Sequence, residues 1–269
     1  MFLKIQNIDI HIAEPELTGT EKEPSLFFIH GAGNNAELWQ HQAGYFRGLH
    51  PVYCLELPGH GLSKGPGETE IADYARWVRQ VITEAFSAKP LVLIGHSLGG
   101  AVVQELAVNP PAEIKGLILI GTGAKLGVTP AILEMLAKNP EDFFQSVDIA
   151  AFDPETPARL KQPVIASIRQ CDPAVILGDF RACDRFDIRE RLQDIHLPTL
   201  ILCGKRDKLT PLKYSLYLHE HIQGSELMIF DQAGHMVMVE QADSVNRTIN
   251  EFLKRYSYSR AKTQRRKEN

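Results

Sequence analysis

Leu91-Val92-Leu93-Ile94-Gly95-His96-Ser97-Leu98-Gly99-Gly100 decides how the rest of this 269-residue chain is read. The apolar run at 91–94 predicts a strand buried on both faces, the kind that occurs in parallel sheets covered by helices. Bulky residues then give way to Gly95, Gly99 and Gly100, and Ala101-Val102-Val103-Gln104-Glu105-Leu106-Ala107 has the composition of a helix. Ser97 therefore falls at a sharp strand-to-helix turn, with glycines where side chains would collide. A G-x-S-x-G turn of this kind lifts a hydroxyl to the carboxyl edge of the sheet and aims the first free N–H groups of the helix at whatever reacts there. A helix that merely uses Ser as its N-cap would carry the same letters, so the flanking sequence has to choose.

Outward from this stretch, strands and helices alternate. Residues 2–5 and 9–13 predict an opening hairpin, and 14–24 a polar loop. Leu26-Phe27-Phe28-Ile29 is a second buried strand, closed by His30-Gly31-Ala32-Gly33-Asn34-Asn35, whose glycines let backbone N–H groups face an anion. A helix over 37–48 and a strand over 52–57 follow, the latter closed by Pro58-Gly59-His60-Gly61. Residues 70–86 have helical apolar spacing, and 117–123 is the next strand.

Residues 125–190 break the rhythm. Thr129-Pro130, Asn139-Pro140, Asp153-Pro154 and Asp172-Pro173 each pair a capping side chain with proline at the first helical position. They predict four short helices and no strand, an all-helical cap over the sheet edge. Its apolar residues, Phe143, Phe144, Phe180 and Phe186 among them, divide between cap core and pocket wall. The strand–helix pattern resumes with 199–204, a helix after Thr210-Pro211, a strand over 226–230 and a closing helix over 242–256. The expected organisation is a core of 1–124 and 191–256, a cap of 125–190, and a tail of 257–269 without fixed structure.

The formal net charge is −4. Six basic residues from Arg255 to Lys267 face one acid, Glu268, which leaves −9 for residues 1–254. Nothing in the acidic body suggests a nucleic-acid surface, and the basic end reads as a solvated tail, with a nucleic-acid or acidic-membrane tether as the alternative. No apolar run reaches membrane-spanning length and the N-terminus is too polar for a signal-peptide core. Four scattered cysteines, Cys54, Cys171, Cys183 and Cys203, form no zinc pattern. The expectation is a cytoplasmic protein that engages neither membrane nor nucleic acid; its oligomeric state is not legible.

A serine hydroxyl becomes a useful nucleophile when a base lies within hydrogen-bond reach and an acid orients that base. Parallel strands deliver their loops to one edge, and Ser97, Asp207 and His235 each follow a strand there. Asp231 is the alternative acid, on the same connection as the histidine. His30, His60 and His96 also lie near the edge and read as turn-stabilising residues.

With these residues in view, the run 28–33, the elbow 95–100, Cys203-Gly204-Lys205-Arg206-Asp207 with Thr210-Pro211, and Gly234-His235 resemble the α/β-hydrolase fold superfamily. They look most like its small capped carboxylesterase-type members, such as pimeloyl-ACP methyl ester esterases and the carbon–carbon hydrolases of ring-cleavage pathways. The resemblance spans about residues 2–256. Glu56 stands where that family often has Asp, a position outside the triad. The resemblance implies an α/β fold: a mostly parallel twisted sheet flanked by helices, with an all-helical cap insertion. It implies catalytic Ser97, Asp207 and His235, an oxyanion hole made by the backbone N–H of Ala32 and Leu98, and no metal or cofactor. Gly31, His96, Phe143, Phe144, Phe180, Phe186 and Met236 are the expected substrate contacts. The implied function is ester hydrolysis of a small apolar acyl substrate through an acyl-enzyme. Carbon–carbon, thioester or lactone hydrolysis and acyl transfer remain alternatives with the same triad, and a ligand receptor on this scaffold is the non-enzymatic one.

Overall fold

Strands made only of apolar residues must be covered on both faces, and the middle of the sheet obeys. The computed structural model describes the backbone of residues 1–14 and 24–267 and side chains through residue 256. The expected loop over 14–24, its ends excepted, and the last two residues of the tail lie outside that range. β1 (Phe2–Ile5), β2 (Ile8–Ala13), β3 (Ser25–Ile29), β4 (Val52–Leu55), β5 (Leu91–His96), β6 (Ile114–Ile120), β7 (Thr199–Gly204) and β8 (Glu226–Phe230) form one eight-stranded sheet. Its order is β1-β2-β4-β3-β5-β6-β7-β8. β1 and β2 make the expected hairpin and β2 meets β4 antiparallel. The remaining pairings are parallel. β3, β4, β5 and β7 are buried throughout, whereas edge strand β8 is half-buried or exposed.

The helices are α1 (Gln40–Phe46), α2 (Ile71–Ala85), α3 (Leu98–Val108), α4 (Pro130–Lys138), α5 (Pro140–Ala151), α6 (Ala158–Ile168), α7 (Pro173–Arg185), α8 (Leu212–His221), α9 (Val237–Glu240) and α10 (Ala242–Lys267). Because strand side chains alternate, the sheet feeds two cores. Phe27, Ile29, Leu91 and Leu93 pack with α2 and α3; Leu26, Phe28, Val92 and Ile94 pack with Phe46 of α1 and Val245, Ile249 and Phe252 of α10. The parallel order brings the carboxyl ends of β3, β5, β7 and β8, and the loops that follow them, to one edge.

Four helices, α4 to α7, lie between β6 and β7, three of them beginning at the proline-capped starts Pro130, Pro140 and Pro173. The two ends of this insertion are tied together: the Lys125 ammonium lies 3.2 Å from Asp187, and the Ile188 N–H donates to the Ala124 carbonyl. Two expectations need correction. Asp153-Pro154 starts only one turn, and α6 begins at Ala158. The Asp153 carboxylate accepts the Glu155 N–H and two bonds from the Arg206 guanidinium, so it serves a tertiary contact rather than a long helix. At the other end, α10 continues past residue 256 to Lys267 instead of giving way to an irregular tail. The loss of apolar periodicity removes a packing face, but residues 257–267 contain neither glycine nor proline, so nothing in the backbone stops the helix. Among the described residues no helix is long and apolar enough to cross a membrane.

Candidate active site

Ser97 sits between β5 and α3 with φ +52° and ψ −116°, a left-handed conformation unfavourable for a residue with a Cβ. The surroundings over-determine it. Its N–H donates to the Ile120 carbonyl at 3.0 Å, and its own carbonyl accepts the Ala101 N–H and the Thr122 hydroxyl. The flanking glycines are required by close approach: a Cβ on Gly95 would collide with the Gly99 carbonyl, and one on Gly99 with the Ile29 carbonyl. The turn thus wedges α3 against β3 and β5 and leaves Ser97 half-exposed at the end of the sheet.

The loops after β7 and β8 bring the other two residues together. His235 Nδ1 lies 2.8 Å from Asp207 Oδ2, with both side chains buried. Asp207 Oδ1 accepts the Leu209 and Thr210 N–H groups at 2.8 Å, and Oδ2 accepts the Thr210 hydroxyl at 2.7 Å. Burial would push this carboxyl up, but the neighbouring His235 and the converging donors outweigh it and hold Asp207 below the usual carboxylate range. An acceptor facing Nδ1 fixes the proton there, and Nε2 is left without a hydrogen bond among the described residues. A ring nitrogen with a free lone pair can take a proton from a hydroxyl. The alternative acid, Asp231, is exposed and paired with Lys205 at 2.8 Å, away from the histidine.

His96 is buried beside this pair, its ring 4.6 Å from that of His235. Its Nε2 meets the His235 carbonyl at 3.1 Å and therefore carries the proton. Burial, and then the adjacent His235, hold it well below the ordinary imidazole range, so it is a neutral strut under the loop. His30 is a strut of the same kind, meeting the Gly31 carbonyl with Nδ1 and accepting the Leu57 N–H on Nε2. Gly31 is a glycine because a Cβ there would lie 2.8 Å from His96 Nδ1.

Ala32, Ser97, His96, His235, Phe143, Phe180 and Met236 line one cavity, roofed by α4, α5 and α7. It encloses about 860 Å³, its open mouth included. Leu98 opens α3, and the first bond of that helix is donated by Ala101, so the Leu98 N–H precedes the hydrogen-bonded ladder. The remaining walls are mostly apolar, with Asn34, Ser146 and Thr210 as polar additions, and carry neither lysine nor arginine.

Three of the expected contacts are not on the cavity wall. Gly31 lies behind it, against His96 and Ser97. Phe144 turns away to face the Arg169 guanidinium, 5.0 Å from the ring centroid. Phe186 packs in the core beside α2 and α3. Phe143 and Phe144 are consecutive, so a helix points them about 100° apart, and only one can face the site. Sequence reading also missed Asp179, Glu240 and Asn34. Glu240 accepts the Gly234 and Asp153 N–H groups at 2.9 and 2.8 Å, joining the histidine loop to the α5–α6 connection. Asp179 did leave a signal: it occupies an apolar stripe of α7 with Val175, Ile176, Ala182 and Cys183. A carboxylate on that face requires partners.

The model of the alpha/beta hydrolase family matches residues 26–248. The chain is 27% identical over 246 residues to a pimeloyl-acyl-carrier-protein methyl ester esterase of Vibrio campbellii, covering 85% of the chain and 94% of the relative. It is 26% identical over 246 residues to 3-oxoadipate enol-lactonase 2 of Acinetobacter baylyi, covering 89% and 92%. Among solved structures, a thermophilic esterase superimposes with a TM-score of 0.82 at 32% identity, covering 95% of this chain and 97% of that one.

Proposed function

The chain belongs to the alpha/beta hydrolase family, and on that premise we propose that it is a serine hydrolase cleaving carboxylic esters of small, uncharged acyl substrates. One observation carries the reading: a strained Ser97 shares a cavity with His235, whose Nδ1 is bound to a buried Asp207. His235 Nε2 takes the Ser97 proton as Oγ attacks the ester carbonyl. Asp207 keeps the ring in the required tautomer and stabilises the imidazolium. The tetrahedral oxyanion falls to the N–H groups of Ala32 and Leu98, with the N-terminus of α3 adding a favourable field. Protonated His235 then releases the alcohol, and water, deprotonated by the same nitrogen, frees the acid.

The cavity supports the substrate class. Apolar walls favour alkyl or aryl acyl groups, and with no cationic side chain among the lining residues an anionic substrate would lose its hydration without compensation. Lactone hydrolysis is the second reading, favoured by the similarity to an enol-lactonase over most of both chains; a lactone is a cyclic ester and needs no different groups. The test is a panel of nitrophenyl esters, methyl esters, lactones, thioesters and ring-cleavage diketones, with Ser97→Ala as blank. Turnover of neutral esters or lactones that falls on the order of 10⁴-fold in Ser97→Ala is expected. Turnover that survives in Ser97→Ala would overturn the mechanism, and activity confined to diketones would overturn the substrate class.

A further inference from the structure

Asp179 projects from α7 with no exposed surface, and its donors come from three separate parts of the core. Oδ2 accepts the Gly33 N–H at 2.8 Å and lies 2.8 Å from His60 Nε2; Oδ1 accepts the Tyr74 hydroxyl at 2.6 Å. The other ring nitrogen of His60 faces the Pro58 carbonyl at 3.0 Å. With an acceptor at each nitrogen, the ring is satisfied only when both carry protons, as an imidazolium opposite a carboxylate. The groups facing this pair are the His30 ring, 4.8 Å from that of His60, the Tyr74 hydroxyl, and the thiols of Cys171 and Cys183.

Helix α7 approaches these loops as closely as glycine allows. A Cβ on Gly33 would lie 3.1 Å from Ile176 Cγ1, one on Gly67 2.9 Å from Val175 Cγ1, and one on Gly178 2.9 Å from the Glu68 carbonyl. Gly33 follows directly on Ala32, whose carbonyl in turn accepts the Asn34 side-chain amide at 3.0 Å. The Ala32–Gly33 peptide is thus gripped at its N–H by the insertion and at its C=O by the Asn34 side chain of the same loop. The preceding peptide, which carries the Ala32 N–H, is tethered at its own C=O, on Gly31, by His30 Nδ1 at 2.8 Å and the Asn34 N–H at 3.1 Å, and the grip on Gly33 fixes its other side.

We propose that Asp179 is a positioning residue for the oxyanion hole: by binding the Gly33 N–H against the His60 imidazolium, it aims the Ala32 N–H at the cavity. Seating the helical insertion on the core and completing the oxyanion hole then become one event. The inference rests on the serine-hydrolase reading. An enzyme without Ser97-dependent turnover would end that reading; Ser97-dependent turnover indifferent to Asp179 would end this one.

Asp179→Asn keeps the size and one acceptor oxygen and removes the charge. On a nitrophenyl ester, kcat is expected to fall about 10- to 100-fold with KM within about twofold, the pattern of a donor that acts in the transition state. An aryl trifluoromethyl ketone, which forms an oxyanion on serine, should lose affinity by the same factor, while the product acid binds as before. The Gly33 amide should exchange its hydrogen faster. Unchanged kcat and ketone affinity, with only the melting temperature lowered, would reduce Asp179 to a structural contact and overturn the proposal. If Asp179→Asn does not fold, two measurements replace it. The ¹⁵N resonances of His60 in the wild type should show both ring nitrogens protonated at neutral pH, and Tyr74→Phe should lower kcat by about threefold at constant KM. A neutral His60, or a Tyr74→Phe enzyme with wild-type kcat, would overturn it.

Discussion

Asp207–His235 and Asp179–His60 are two buried Asp–His pairs with the same 2.8 Å separation, and they use the second ring nitrogen in opposite ways. His235 binds its acid through Nδ1 and leaves Nε2 without a hydrogen bond among the described residues, in a side chain that lines the same cavity as Ser97. His60 binds its acid through Nε2 and spends Nδ1 on the Pro58 carbonyl, away from any cavity wall that Ser97 shares. A carboxylate beside an imidazole therefore says nothing by itself about chemistry. One ring has an uncommitted lone pair and can move protons; the other has none and can only hold two parts of the chain together.

The broadest way to break this comparison is to truncate both rings. His235→Ala should lower kcat on the order of 10⁴-fold while the protein keeps its fold, as expected of a triad base. His60→Ala should leave Asp179 buried without its cation and destabilise the protein by about 3–5 kcal/mol. Turnover of neutral esters with Ser97→Ala as blank, together with thermal denaturation, separates the two. A stable, active His60→Ala, or an unfolded His235→Ala, would collapse the distinction.

A smaller effect, in pH, sharpens it. Burial opposes a charge on His60, but Asp179 overcomes that and raises its affinity for protons above that of a free imidazole. A group raised in the folded state stabilises fully below its unfolded pKa, about 6.5 for histidine, and loses that contribution as pH climbs through the raised value. The gap in melting temperature between wild type and Asp179→Asn should thus be widest below about pH 6.5 and narrow as the solution turns alkaline. Burial lowers His96 in both proteins, so it cancels in the difference, whereas His30 is lowered first by burial and then by the charge of His60, so its contribution moves with that of His60. A gap that widens with rising pH would show the pair to be uncharged.

The smallest effect concerns the roof. Phe143 and Phe180 meet edge to face, ring centroids 5.4 Å apart, on the cavity wall, whereas Phe144 and Phe186 do not reach it. Phe143→Ala or Phe180→Ala should shift kcat/KM toward longer acyl chains by about tenfold. Phe144→Ala should lower stability and leave the chain-length profile parallel to wild type. A series of nitrophenyl esters reads both, and a profile moved by Phe144→Ala would place the acyl pocket on the other side of α5.

What the sequence determined by itself was whatever is local. Apolar runs at 26–29, 91–94 and 200–203 dictate buried strands, the glycines around Ser97 dictate the elbow, and strand ends place Asp207 and His235 on the same edge. Each depends on residues a few positions apart, because strand pleat, helix turn and glycine sterics act over that range. The length of α10 and the start of α6 were misread because a boundary depends on what the end packs against. Asp179 was decided only in three dimensions. Its partners lie 146, 119 and 105 residues away at Gly33, His60 and Tyr74, and no periodicity connects positions so far apart. Sequence can mark a carboxylate on an apolar helix face as needing a partner. Only the packing of α7 across the loops of the core chooses which histidine neutralises it, which amide it holds, and which of two neighbouring phenylalanines faces the serine.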